Sequence, residues 1–346
     1  MANTKKTNKK KISKKRVEQK NKRNLFIAIL MILCTGIVLT VTTYAWFTAN
    51  RNVTVDGIDV NVAAVQGLQL SVDAQNWKAA VDRYDIIGAE WDENAGLQVT
   101  NHVPENMVPV STVGTITDGK MEMFKGTILT DSGNYILTAD RVSESSETTE
   151  FVAFDLFFQY FGEDTTPVAL SLTDSSVSSL GNRGIQNAAR VAFIKLGHAA
   201  TGTAAKDLQA LNTVTEKKIW EPNSDTHTLS GQKNALDVYG KNVTETSPDR
   251  LSYLGVKNLF SSDYKMPLSP TTEEQLSYFE EVKTIEDGGI LFATKANNVN
   301  PGEIFTLEPG VTKIRFYMWV EGQDVDCENN ASGDQLTYSL KFSIPE

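Results

Sequence analysis

The chain has 346 residues, 40% of them hydrophobic, and a formal net charge of −10. The charge is split: residues 1–23 hold eleven of the 33 Lys and Arg but one of the 43 acids, so this tail is +10 and the rest is −20. An acidic body of that size excludes nucleic acid as its partner, and two cysteines, Cys34 inside an apolar segment and Cys327 far beyond it, exclude a disulfide framework.

Residues 24–50 carry no charge. Within them 25–45 is an apolar run of 21 residues, which as a helix is about 30 Å long, one hydrocarbon core. The basic flank keeps the tail inside and places the remainder outside. The expected organisation is a basic cytoplasmic tail at 1–23, a signal peptide or transmembrane anchor at 24–46, and an extracytoplasmic β-rich domain at 50–346. Thr43 and Ala45 are small residues at −3 and −1 of a cut before Trp46. An uncut anchor and a cleaved signal both remain open. The chain is accordingly membrane-held with an outer C-terminal domain, or is released to the cell surface. Leu33 before Cys34 argues against a lipid-modified cysteine.

Beyond the membrane exit the hydropathy turns to period two. Val53, Val55, Ile58, Val60 and Val62 alternate with polar residues, and 67–72 continues the pattern. Residues 115–124 read as a hairpin on Asp118-Gly119, and 127–138 as a second around 131–134. The stretch 151–161 is the most apolar outside the membrane segment and too aromatic for a helix. It reads as a central strand, with either Phe154, Leu156 and Phe158 or Val152 and Phe157 turned to the core. Strands follow at 168–172 and 190–196. Helical pieces fit 204–212 and 271–283. Strands at 314–320 and 336–344 close the chain. The stretch 198–300 reads as an irregular insertion. The fold class expected is mainly β: an antiparallel sandwich, in one form jelly-roll-like, with a few short helices and one N-terminal membrane or signal helix.

Catalytic motifs are scarce. The three histidines, His102, His198 and His227, share no zinc-ligand spacing and read as exposed loop residues. The run 114–121 imitates a phosphate loop, but Met121 stands where Ser or Thr must bind Mg²⁺, so Gly119 reads as a hairpin glycine. The densest set of oxygen ligands is Asp324, Asp326 and Glu328. Asn329 and Gln335 occupy the places where an EF-hand needs Gly and Glu. Two readings of this segment stay open, a surface Ca²⁺ site and a solvated acidic connector. Ca²⁺ is the single cofactor candidate.

The hexad Thr43-Tyr44-Ala45-Trp46-Phe47-Thr48 resembles the signal-peptide end of camelysin/TasA-type exported proteins. The segments 151–160, 219–223, 318–322 and 324–327 resemble an uncharacterised family of Gram-positive surface proteins. The first resemblance implies an exported, fibre-forming matrix component of jelly-roll type. Some such proteins have been called proteases, but no metalloprotease motif is present here. Three classes of function follow. The first is a non-enzymatic structural or adhesive surface protein that self-associates, as in a biofilm matrix, or contacts the cell wall. The second is a binding module for wall glycan or divalent cations. A hydrolase comes last. Protease added to intact protoplasts is expected to digest the outer domain and spare the tail; digestion of the tail alone would reverse this topology.

Overall fold

The computed structural model describes residues 52–345, except 63–66, 93–99, 163–165, 182, 245–246, 249–250, 268–269, 284–289 and 328–332. The basic tail, the apolar segment, the 43–48 hexad and Glu328 lie outside the described residues. Among the described residues no helix is long and apolar enough to cross a membrane. The chain is mainly β, with two large sheets, several small ones and a few short helices.

The alternating segments at the two ends of the body build the first large sheet. Val53–Val62 pairs with Gln335–Ser343, setting Ile58 opposite Tyr338 and Val60 opposite Leu340. A register shift between Val55 and Gly57 inserts one residue, so Val55 and Ile58 face the same side although three positions apart. This pairing is parallel, as is that of Glu216–Glu221 with Leu291–Ala293. The expected all-antiparallel arrangement is therefore mixed. The physical reason is connectivity: nearly the whole body separates the first strand from the last, so no tight hairpin dictates their direction. Across the sheet the order is Gly302–Leu307, Val168–Leu172, Gln335–Ser343, Val53–Val62 and Ala80–Asp82. Ser176–Ser179 and Asn106–Met107 pair alongside.

The second large sheet runs Leu291–Ala293, Glu216–Glu221, Ala189–Ala199, Gly310–Val320, Val152–Tyr160 and Leu68–Ser71. Two of its strands come from the 198–300 stretch. One apolar core joins both sheets: the Phe342 ring lies 5.1 Å from Phe158 and 6.0 Å from both Phe193 and Phe316.

The second sheet is buried on its other face too. There Ala153, Tyr317 and Trp319 pack with Met121, Met123 and Tyr253. Phe154, Leu156 and Phe158 face the shared core, and Val152 joins them by period two; Phe157 faces the opposite way. All five are fully buried, which explains why this strand reads as one continuous apolar run.

Both expected hairpins form. Asp118 and Gly119 have φ of 52° and 76°, Ser132 and Gly133 51° and 86°, so each is a two-residue turn that matches strand twist. A helix at Ala205–Gln209 falls inside the expected 204–212. The expected helix at 271–283 is confined to Glu273–Leu276, started by a Thr272–Gln275 capping box. It gives way to the strand Phe279–Val282, whose end residues are buried. The helix Leu229–Tyr239 was not expected, although Thr228 and Gly240 cap it.

The shared core sets the stability. Phe154→Ala or Phe158→Ala should each lower unfolding free energy by about 3–5 kcal/mol in denaturant titration. An unchanged midpoint for both would remove the aromatic strand from the core.

Candidate functional site

Two clusters of buried polar groups stand out, one beyond the C-terminal end of the Gly310–Val320 strand and one around its middle. The first is built on the acidic segment. After Val320 the chain turns tightly: Asp324 N–H donates to the Glu321 carbonyl at 3.1 Å and Cys327 N–H to the Asp324 carbonyl at 3.0 Å. The turn is packed inside the protein. Asp324 and Asp326 are 8% and 1% exposed, so neither is a solvated connector residue.

Each has a protein partner. Arg190, 1% exposed, donates from one nitrogen to both Glu221 and Asp324 at 2.7 Å. Its other terminal nitrogen donates to the carbonyls of Asn187 and Ala189 at 3.0 and 3.1 Å. The guanidinium carbon lies 5.8 Å from the centre of the Tyr253 ring. Burial works against this charge, but Glu221 and Asp324 overcome it and hold Arg190 above its ordinary pKa. Asp326 meets His227 Nδ1 at 2.7 Å and accepts from the Thr228 backbone and hydroxyl at 2.8 and 3.0 Å. Burial disfavours the His227 imidazolium, but the bond to Asp326 and the surrounding carboxylates raise its pKa above the usual value. A Cβ placed on Gly231 would collide with Asp326 Oδ1, so the helix Leu229–Tyr239 seats there through its glycine. Among the described residues no group of three or more His, Cys, Asp or Glu is arranged to hold a metal ion.

The second cluster lies on the outer face of the second sheet. Arg315 stands directly opposite Asp155 in the strand register and donates to it at 2.8 Å. It also bonds Thr100 Oγ1 at 2.9 Å, the Tyr317 hydroxyl at 3.0 Å, and Glu144. Lys313 contacts Asp155 at 3.1 Å and donates to the Gln209 carbonyl at 2.7 Å. Its ammonium sits 5.5 Å from the Trp91 ring centre and 5.9 Å from that of Phe157. Burial opposes the Asp155 charge, yet Arg315 and Lys313 hold its carboxyl below the ordinary range. Lys313 is pulled below the usual lysine value, because burial outweighs its attraction to Asp155. Above these residues opens a cavity of about 190 Å³. The tip of the Asp118-Gly119 hairpin forms one wall, and Gln209 and Asn212 another.

The histidines correct the sequence reading. His102 is 5% exposed, bonded to the Thr100 carbonyl through Nδ1 and held in a bridge with Ala153; burial lowers its pKa. His227 is likewise enclosed, because the helix it precedes packs over Asp326. Asp155, Arg190, Lys313 and Arg315 are site residues that no motif marks, but the sequence carries a signal for them: Asp155 and Arg190 stand among apolar residues, and Lys313 and Arg315 share one apolar strand, where only a partner makes burial tolerable.

Comparison with protein-family models, with curated proteins and with solved structures finds no match for this chain. The segments around Glu221 and Asp324, distant in the sequence, meet at Arg190.

Glu321 is the one buried acid of the first cluster without a direct ion pair among the described residues. It accepts from Trp319 Nε1 at 3.2 Å and from the Gln323 backbone at 3.1 Å. Burial pushes its pKa from 4.5 up to about 7. Between those values the native state holds a proton that the unfolded state has released, so stability falls as pH rises from 4.5 to about 7. The raised pKa of His227 acts in the same direction, its contribution being complete below the unfolded histidine value and lost above the folded one. Urea titrations at pH 5 and pH 8 should show Glu321→Gln losing roughly 1–3 kcal/mol less than the wild type, a difference from which His102, whose lowered pKa acts in the opposite direction in both proteins, cancels. Equal losses in both proteins would mean that Glu321 is ionised throughout.

Proposed function

We propose that this chain is a non-enzymatic cell-surface protein with a structural or adhesive role. Its basic tail and apolar segment deliver it to the membrane, and its β-rich body works outside. In this reading the two large sheets are the halves of a sandwich of jelly-roll type, with the second sheet covered again on its outer face. Self-association through a sheet edge supplies the fibre-forming or adhesive contact.

The observation that carries this reading is the edge strand Gly302–Leu307. At six residues it is the longest of the four ends of the two large sheets, the others being Ala80–Asp82, Leu68–Ser71 and Leu291–Ala293. Such an edge offers backbone donors and acceptors to an added strand. Lys195 occupies one of these acceptors, donating to the Thr306 carbonyl at 2.9 Å, and a joining strand would displace it. The acidic carboxylates support the same conclusion. Asp324 and Asp326 are engaged by Arg190, His227 and Thr228, an arrangement that fixes the chain.

Electron microscopy and light scattering of the purified full chain should show oligomers or filaments that lengthen with concentration. Glu303→Lys with Thr306→Lys places two cations on the exposed positions of the edge and should shift the population to monomers with an unchanged melting temperature. A chain that stays monomeric at every concentration and does not bind isolated cell walls would overturn the proposal.

A further inference from the structure

We propose that the cavity above Asp155 and Lys313 is a binding site for one residue of a neutral saccharide. This goes beyond the adhesive reading, since a protein that only builds fibres requires no such cavity. The argument begins with charge. Arg315 is committed to Asp155 and Glu144, and Lys313 to Asp155. Toward the opening stand Asp118, Lys120 and Asn212, again one charge of each sign and a neutral amide. A simple anion entering here meets Asp118 and Asp155, and a cation meets Lys120, Lys313 and Arg315, whose charge Glu144 offsets from outside the lining. A neutral ligand carrying many hydroxyls meets neither penalty, because each hydroxyl both donates and accepts.

Shape and apolar surface agree. The cavity of about 190 Å³ is smaller than the roughly 300–1,000 Å³ that takes a drug-sized molecule, which suits a single small ring. Trp91 and Leu196 supply apolar lining for the C–H face of such a ring. Asn212 is held at the rim by close approach to Gly119, which has no Cβ to push it away. Three separated parts of the chain thus converge on one polar, charge-balanced recess.

Saturation-transfer NMR on the full chain, in a detergent without a sugar headgroup, tests this. The neutral probes are the methyl glycosides of glucose, galactose, mannose and N-acetylglucosamine; the charged probes are glucuronate and glucosamine. At least one neutral probe should receive saturation. Trp91→Leu, which removes the aromatic face, and Asn212→Ala, at an exposed position, should each weaken it roughly 2- to 10-fold. Melting curves of both variants confirm that the fold persists. The assignment is overturned if no neutral probe binds, if only glucuronate or glucosamine binds, or if binding survives both substitutions unchanged. None of these outcomes bears on edge-mediated assembly, so the two proposals fail separately.

Discussion

A sheet covered on both faces has nowhere to leave a charge, and this constraint organises the molecule. The six-stranded sheet buries one face against the seven-stranded sheet and the other against an outer layer of short hairpins and loops. Taking an ion out of water into such a place costs several kcal/mol, which attraction to a well-placed opposite charge offsets. Asp155 and Arg315 satisfy that requirement by register, since they stand directly opposite on neighbouring strands. Slipping the pair by one residue would turn Arg315 into the shared apolar core and leave Asp155 without its partner. The ion pair therefore selects the alignment of the two central strands as well as tolerating it.

Arg190 plays the same part in the other cluster. One guanidinium binds Glu221 from a neighbouring strand and Asp324 from the turn after Val320, with carbonyls and the Tyr253 ring around it. Removing either carboxylate would leave a buried, partly compensated cation, a loss that typically costs about 3–5 kcal/mol. Asp326 then carries the constraint outward, tying His227 and the start of the helix Leu229–Tyr239 to the same turn. Asp324 and Asp326, two positions apart, thus fasten three parts of the chain: their own turn, the strand of Arg190 and the start of the helix after Thr228.

The charged groups of the two clusters are about equally buried. Around Arg190 the arrangement acts as a structural tie, whereas Lys313, Arg315 and Asp155 border a recess lined also by indole and amide groups.

Periodicity in the sequence is enough to locate most strands. The unbroken alternation at 336–344 and the valines at 53–62 appear as the buried faces of Gln335–Ser343 and Val53–Val62, because a pleated strand turns every second side chain the same way. The Asp-Gly and Ser-Gly turns are equally legible, since a positive φ at both central positions suits few residues. The helix at Leu229–Tyr239 was missed because its apolar positions are too few for a clear stripe, although its caps were visible. The parallel pairing of the first and last strands, the burial of both faces of the aromatic strand, and the enclosure of His102 and His227 were decided only by the fold. So were the meanings of Asp155, Arg190 and Asp324. The partners Arg190 and Asp324 are 134 positions apart, and Asp155 and Arg315 are 160. An ionic contact depends on distance in space, and local sequence patterns carry no record of which remote strand will lie alongside.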